Sequence, residues 1–363
     1  MKKIGSFNLG LAFAGCFLGA GYVSGQELWQ FFGSFGAKGV AGLLLAVALL
    51  FFTGIIMILL GRLTKLSEID KIVVRRDWPL LRGAVTVLEL LFLFGVGTIM
   101  SAGVGALLEQ LFGLAPFIGS AVFAALVAVV SLAGFSGMVS AFSATVPVLS
   151  VVTLVFGIMS VCTNGLVLPQ SGGGSNPLMS SWLVAAVSFA CYNVFGSIAM
   201  IAPLGPYVKS KKAAVGGIAI GACVLLLIAG SVLVSVSAAP ETADAQLPML
   251  ALAHSRGIVW VAQSRGIVWG YVYGVLLLLA MFGTALSSLV AFVSMLAAKS
   301  ARISGHKNKF TALCALCMFL GSLFGFGDLI GVVYPIFGYC SSVFIVLMAV
   351  HYFKVKKQNA QKA

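Results

Sequence analysis

Long apolar stretches recur along almost the whole chain and determine its fold class. Windows of roughly 20 residues, the length at which a helix crosses a bilayer, begin at Phe7 and recur near 38–61, 80–108, 116–133, 138–161, 181–203, 213–236, 266–298, 310–324 and 329–353. Hydrophobic residues make up 61% of the 363 residues and charged residues only 9%, a composition that excludes a soluble domain. We therefore predict an all-α integral membrane protein with about ten transmembrane helices, numbered here as spans 1 to 10.

Basic residues are concentrated at both ends of the chain and in alternate loops. All of the 22 Lys and Arg except Lys38, Arg256 and Arg265 fall on one side of the predicted membrane. Because cytoplasmic loops carry the excess of Lys and Arg, both termini are predicted to lie in the cytoplasm. The same distribution accounts for the net charge of +13 without a nucleic-acid partner. Membrane lipid is the partner that these two patterns predict.

Span 1 is interrupted by the glycine-rich segment Gly15–Glu27, GCFLGAGYVSGQE. A glycine inside a helix costs about 1 kcal/mol relative to alanine, and a carboxylate at membrane depth must face protein or water. We predict that the helix is broken at about Gly19–Tyr22 and that the break lines a binding cavity. The alternative is a glycine-rich surface on which another helix packs, but such a surface does not require Gln26 and Glu27.

Two similar turns suggest that the chain contains an internal repeat. Spans 4 and 5 are joined by Gly134–Gly137 and spans 9 and 10 by Gly325–Asp328, and a proline follows each turn, Pro147 and Pro335 respectively. Because spans 4 and 9 run in opposite directions, the halves would be inverted repeats. We predict five helices plus five helices in one transmembrane domain, 1–353, with repeats at about 1–165 and 175–353 and a basic cytoplasmic tail at 354–363. Asp328 is interpreted as the N-cap of span 10, matching Ser136 before span 5.

An inverted repeat requires that span 6 is broken as well, and its segment Ala190–Ser197 contains Tyr192, Asn193 and Gly196. The ends of two half-helices would offer free N–H groups to a carboxylate and free carbonyls to a cation, which favours an amino acid or a related small solute. For Asn193 the alternative is a hydrogen bond between helices. The predicted substrate-binding residues are Gly19, Ala20, Gly21, Tyr22, Tyr192, Asn193, Phe195, Gly196 and Ser197.

The ten-span plan with breaks in spans 1 and 6 resembles the LeuT fold of the amino acid-polyamine-organocation superfamily. Residues 19–36, GAGYVSGQELWQFFGSFG, are similar to the start of the YkvI family of bacterial membrane proteins. The resemblance covers nearly the whole chain and implies a secondary active transporter in the bacterial plasma membrane, whose partners would be a small-molecule substrate and a coupling ion. It implies transport more strongly than it implies a particular substrate.

The resemblance also implies a sodium site, because residues 282–288 are similar to a span 8 segment that binds sodium in relatives. The implied ligands are the carbonyls of Gly15, Leu18 and Thr284 and the hydroxyls of Ser287 and Ser288. The alternative is that these hydroxyls bond the carbonyls of their own helix. Some proton-coupled relatives carry a lysine in span 5, and the absence of lysine from 138–161 favours sodium over that mechanism.

Two acidic residues make proton coupling an alternative to sodium coupling. Glu27 lies just beyond the break, and Glu89 lies in span 3, seven residues after Arg82, about 10 Å deeper along a helix. Either could be a carboxylic acid that carries a proton through the membrane. The alternative for Glu89 is a structural partner of a hydroxyl or of cytoplasmic Lys and Arg.

Catalysis is not expected, because the three histidines fall at helix ends or in loops and no nucleophile with a base is visible in the spans. No catalytic residue and no cofactor is predicted beyond a possible sodium ion. The main alternative to a transporter is a sensor or receptor subunit built on the same fold. One local feature lies outside this pattern: Ser255–Trp260 recurs as Ser264–Trp269, and the second copy is predicted to lead into span 8.

Overall fold

The protein is almost entirely helical in the computed structural model, which describes residues 3–66, 68–133, 145–170, 176–256 and 266–362. These residues contain no β-strand, only an isolated bridge between Ile4 and Val208. The α-helices are α1 Ser6–Phe17, α2 Ala20–Ser24, α3 Gln26–Phe31, α4 Ala37–Thr64, α5 Ile69–Val73, α6 Pro79–Phe112, α7 Pro116–Leu132, α8 Thr145–Asn164, α9 Trp182–Ile201, α10 Lys211–Ser237, α11 Pro248–Arg256, α12 Gly266–Lys299, α13 Ala301–Gly305, α14 Lys307–Ser322 and α15 Phe326–Lys362.

Seven helices among the described residues are long and apolar enough to cross a membrane, namely α4, α6, α8, α9, α10, α12 and α15. Two shorter apolar helices, α1 and α7, accompany them. Each predicted span overlaps a described helix, but the number of ten membrane crossings stays a prediction. The prediction of a multi-pass membrane protein is thus confirmed. The longest helix, α15, continues through the basic tail to Lys362.

The long helices form two groups with α15 between them. In the first group, which we call the bundle, α1 packs on α10, and α4 packs on both α9 and α10. In the second group, the scaffold, α6, α7, α12 and α14 pack on one another, and α15 contacts α4 and α9 on one side and α6 on the other. Small residues allow this proximity: a Cβ atom on Gly61 of α4 would collide with the carbonyl of Ala202.

Both ends of the described chain lie at the same end of the bundle. The amide of Ile4 donates to the carbonyl of Tyr207, and His351 near the end of α15 bonds the carbonyl of Ile72 in α5. We call this the basic end, because residues 62–82, which hold six Lys and Arg (Arg62, Lys65, Lys71, Arg75, Arg76 and Arg82), lie here.

The predicted break in span 1 is confirmed, at Leu18 and Gly19. Helix α1 ends at Phe17, Gly19 adopts an extended conformation with ψ of 171°, and α2 begins at the next residue. The Gly19 amide bonds the carbonyl of Phe17, only two residues back, at 2.7 Å. The break is therefore one residue earlier and shorter than predicted, so that Tyr22 lies inside α2. Tyr273 of α12 donates its hydroxyl to the Val23 carbonyl at 2.7 Å and so satisfies a backbone group near the interruption.

Gly25 separates α2 from α3 and has a φ of +88°, a left-handed conformation that disfavours any residue with a Cβ atom. Replacing Gly25 with alanine should destabilise the protein by about 1–2 kcal/mol, and the new Cβ would lie 3.0 Å from Met249 Cγ. The measurement is thermal unfolding in detergent. Gly83→Ala is the control, because that helical site has open space around it and alanine favours helix; an equal loss in both variants would contradict this account of Gly25.

The predicted break in span 6 is wrong, because α9 runs without interruption from Trp182 to Ile201. Two of its polar side chains bond the helix itself: Asn193 Nδ2 donates to the Phe189 carbonyl at 3.0 Å and Ser197 Oγ to the Val194 carbonyl at 2.8 Å. Gly196 does not break the helix but makes room for a neighbour, since a Cβ atom there would lie 2.7 Å from the Phe92 ring. The helix also contains no proline, which would have removed a backbone hydrogen bond.

The predicted N-cap role of Asp328 is also wrong. Helix α15 begins at Phe326, and the Gly325 carbonyl accepts from the Leu329 amide at 3.2 Å. Asp328 therefore lies in the first turn, where the helix dipole favours an acid. The matching turn, Gly134–Gly137 with Ser136, lies outside the described residues, so the inverted repeat stays a prediction.

Pro335 lies inside α15 and cannot donate to the carbonyl four residues earlier. That carbonyl, of Gly331, accepts a hydrogen bond from Asn176 Nδ2 at 2.7 Å. Asn176 therefore compensates for the proline and ties the segment before α9 to α15. The tandem repeat behaves as predicted at its second copy, whose residues 266–269 begin α12; residues 257–265 lie outside the described residues.

Candidate functional site

A cavity of about 370 Å³ lies between the bundle and the scaffold, beside the break in the first helix. It is lined by eleven of the residues singled out from the sequence, namely Gly19, Gly21, Glu27, Glu89, Tyr192, Asn193, Phe195, Gly196, Thr284, Ser287 and Ser288. These residues come from span 1, span 3, span 6 and span 8, so the fold brings the predicted substrate, ion and proton residues to one place.

Five predicted site residues do not line this cavity: Gly15, Leu18, Ala20, Tyr22 and Ser197. Tyr22 points to the other side of α2, where its hydroxyl donates to the Leu225 carbonyl at 2.8 Å. Ser197 donates its hydroxyl to the Val194 carbonyl of its own helix at 2.8 Å. Both side chains therefore serve the packing of the bundle in this conformation.

Other lining residues were not identified from the sequence. They are Cys16, Phe17, Ile69, Phe92, Leu93, Val96, Met100, Ala199, Met200, Ala291, Met295 and Tyr334. On α6, Phe92, Val96 and Met100 follow Glu89 at spacings of three and four, so they lie on the same face of the helix. That spacing could have identified the three α6 residues from the sequence. For Tyr334 the sequence offered no such pattern beyond the proline that follows it.

Glu27 is the most buried acid of the cavity, with 5% of its surface exposed. The Tyr192 hydroxyl donates to one of its carboxylate oxygens. The other oxygen lies so close to α2 that a Cβ atom on Gly21 would be 2.7 Å from it. Tyr334 stacks on the Tyr192 ring with centroids 4.6 Å apart and planes 15° apart, which fixes the ring that holds the acid.

Glu89 lies on α6, nearer the basic end, and is only partly buried. Arg82, seven residues earlier on the same helix, pairs with Asp77 at 2.5 Å. Within the described part of the chain no hydrogen bond or ion pair to Glu89 is found. Its carboxyl group is therefore available to the cavity.

The hydroxyl groups of α12 bond their own helix. Thr284 Oγ1 donates to the Ala280 carbonyl and Ser287 Oγ donates to the Thr284 carbonyl, both at 3.0 Å. These bonds use the hydroxyl protons and leave oxygen lone pairs available. Thr284, Ser287 and Ser288 all line the cavity, whereas Gly15 and Leu18, whose carbonyls complete the predicted sodium site, do not.

The cavity is closed toward the end opposite the basic end. Tyr192 packs against Phe31 and Phe189, with ring centroids 5.8 and 5.6 Å apart. Beyond these rings, Gln30 Nε2 donates to the Gly327 carbonyl at 2.9 Å, and the Gly327 amide donates to Gln246 Oε1 at 3.0 Å. Helix α3 is thereby tied to the first turn of α15.

The aromatic contacts of Tyr192 and the hydrogen bonds of Gln30 and Gly327 together form what we call the closed layer. A pocket lies on each side of it. Outside it, a second pocket of about 460 Å³ is lined by Gln26, Asp244 and Asp328 among others. In the other direction the central cavity extends past Glu89 to Met295, near the end of α12. The central cavity is thus directed toward the basic end.

Comparisons with known proteins confirm the resemblance and the fold. The chain is 24% identical to the uncharacterised membrane protein YkvI of Bacillus subtilis over 348 residues, covering 95% of each chain. It is also 24% identical to YyaD of the same organism over 353 residues, covering 94% of this chain and 95% of YyaD. The inward-facing structure of Mhp1 is 17% identical with a TM-score of 0.61, covering 98% of this chain and 78% of Mhp1. No family model matches the chain. The fold is LeuT-like.

Proposed function

We propose that the protein is a secondary active transporter that moves a small solute by alternating access. The observation that carries this proposal is the central cavity, which lies beside a broken helix, contains the buried Glu27 and is directed toward one end only. A closed layer separates it from a second pocket. A 5+5 inverted repeat would explain how one layer opens while the other closes.

The positive-inside rule places the basic end in the cytoplasm, so the conformation described here is open to the cytoplasm. The similarity to the inward-facing form of Mhp1 supports that interpretation. One short helix connects the site to the closed layer, because α3 carries Glu27 on the cavity side and Gln30 on the closed side. Movement of α3 would therefore change both together.

The solute is proposed to carry an amino group, as amino acids and related amines do. Two carboxyl groups, Glu27 and Glu89, line the cavity, and none of its lining residues within the described chain is Lys, Arg or His. Glu27 would pair with the amino group while the Tyr192 hydroxyl fixes its orientation. A cavity of about 370 Å³ falls within the range of small-molecule sites. Because α9 is unbroken, the half-helix end for a carboxylate would come from the first helix and not from span 6.

Uptake by proteoliposomes tests the proposal. Candidate solutes are first ranked by the rise in unfolding temperature that they cause, over amino acids, amines and anionic organic acids. We expect an amine-bearing solute to stabilise the protein and to be accumulated when an ion gradient is imposed. Stabilisation by a solute that is never accumulated under sodium or proton gradients would contradict transport, and stabilisation by organic acids alone would contradict the assigned solute class.

Sodium is the coupling ion favoured by the α12 hydroxyls, with Glu27 and Glu89 as the proton-carrying alternatives. Replacing both Ser287 and Ser288 with alanine removes two oxygen ligands, and we expect sodium-dependent uptake to fall by at least tenfold, because hard cations require several oxygen ligands. Initial uptake rates in sodium and in choline buffers provide the measurement.

The matched control for this double variant is Ser231→Ala with Ser342→Ala. Both control hydroxyls also bond their own helices, to the carbonyls of Leu227 and Tyr339, but neither lines the cavity. An unchanged sodium response in Ser287→Ala/Ser288→Ala would contradict this sodium site, and Glu27 and Glu89 would become the coupling candidates.

A further inference from the structure

A further pocket, distinct from both the central cavity and the pocket beyond the closed layer, lies at the basic end. It has a volume of about 670 Å³ and lies between the connection from α5 to α6 and the last third of α15. Its walls combine basic and apolar side chains, including Arg75, Arg76, Trp78, Leu81, Val350 and Lys354. The proposed transport pathway does not use any of these residues.

The charge of this pocket is positive. Arg75, Arg76 and Lys354 are exposed, and in the described chain none of them forms an ion pair. The acid among the lining residues, Asp77, is engaged by Arg82. The three cationic groups are therefore available to an anion from outside the chain.

The apolar wall of the pocket is exposed, as the cationic side chains are. Among its apolar lining residues, Trp78 is 51% exposed and Val350 is 43% exposed. The guanidinium of Arg76 lies over the Trp78 ring, 5.6 Å from its centroid, an arrangement that stabilises a cation beside an apolar surface. Tryptophan beside basic residues is typical of the boundary between lipid headgroups and acyl chains.

The floor of the pocket is fixed by a buried contact. His351, 4% exposed, bonds the Ile72 carbonyl through Nδ1 at 2.8 Å. Because a carbonyl only accepts, Nδ1 carries the proton. This bond links α15, which carries Lys354, to α5, which leads into the segment that carries the two arginines.

We propose that this pocket binds an anionic phospholipid, with Arg75, Arg76 and Lys354 around the phosphate and Trp78 and Leu81 beside the acyl chains. Basic pockets beside transmembrane helices at the cytoplasmic surface suit such headgroups. A free phosphate would use the charges but leave the exposed apolar wall uncovered. The assignment is independent of what the central cavity transports.

The experiment compares wild type with Arg75→Gln/Arg76→Gln/Lys354→Gln in detergent, by thermal unfolding and by native mass spectrometry with added lipid. The probes are phosphatidylglycerol, the neutral phosphatidylcholine and inorganic phosphate. Each Lys or Arg near an anionic headgroup contributes about fivefold in affinity, so the triple variant should bind phosphatidylglycerol roughly a hundredfold more weakly. Wild type should be stabilised by phosphatidylglycerol and by neither other probe.

The matched control is Lys209→Gln/Lys211→Gln/Lys212→Gln, which removes three exposed charges at the same end but outside the pocket. It should retain the wild-type response. Equal binding of phosphatidylglycerol by the pocket variant, an equal loss in the control, or stabilisation by inorganic phosphate alone would each overturn the proposal. If the triple variant fails to fold, the single variants Arg75→Gln and Lys354→Gln are measured instead, and an undiminished lipid affinity in both would have the same meaning.

Discussion

Replacing Glu27 with glutamine is expected to reduce solute uptake by roughly thirtyfold or more, because removing one charge of a buried hydrogen-bonded pair costs about 2–5 kcal/mol. Glutamine keeps the shape of the side chain and an oxygen that accepts the Tyr192 hydroxyl. It can neither pair with an ammonium group nor carry a proton. The fold should therefore persist while uptake is lost, as shown by thermal unfolding and proteoliposome uptake measured on the same preparation.

Glu109→Gln is the matched control for this variant. Glu109 lies near the other end of α6 and is exposed, and it does not line the cavity, so its uptake should equal that of wild type. Tyr192→Phe should have a smaller effect than Glu27→Gln, since the carboxyl group remains and only its orientation is released. Wild-type uptake in Glu27→Gln would show that Glu27 neither pairs with the amino group of the solute nor carries the coupled proton.

Filling the central cavity should abolish uptake without unfolding the protein. Ala291 of α12 lines the cavity, and an indole at this position would occupy much of the available 370 Å³. Overpacking a dense core costs about 1–3 kcal/mol, but here the added ring enters open space. Ala291→Trp should therefore keep or raise the unfolding temperature while uptake and solute-induced stabilisation both disappear.

Ala125→Trp provides the control, because Ala125 of α7 is exposed on the outer surface of the scaffold. The same substitution there should leave uptake unchanged. Normal uptake by Ala291→Trp would show that the solute passes elsewhere, and the cavity would lose its assigned function even though the LeuT-like fold stands.

The sequence by itself determined most of the helices and, to within a few residues, where the first helix is interrupted. A stretch of roughly 20 apolar residues must become a helix in lipid, because a helix is the conformation in which a single segment makes all of its own backbone hydrogen bonds. Spans 2 and 7, for example, became α4 and α10 with close agreement in their bounds. The break at Gly19 was also predictable, since Gly15–Glu27 combines low helix propensity with an acid at membrane depth. These are local properties, which the residues carry wherever the chain places them.

The tertiary structure decided which polar side chains face the cavity and which serve their own helix. Asn193 and Ser197 look alike as candidates in the sequence and both bond the backbone of α9, yet Asn193 lines the cavity and Ser197 does not. Tyr22 and Tyr192 look equally suitable, but Tyr22 bonds the Leu225 carbonyl whereas Tyr192 holds Glu27. The physical reason is that each hydroxyl or amide has several possible partners of similar strength. Which one it takes depends on the neighbouring helix, and that helix is positioned by packing over the whole bundle.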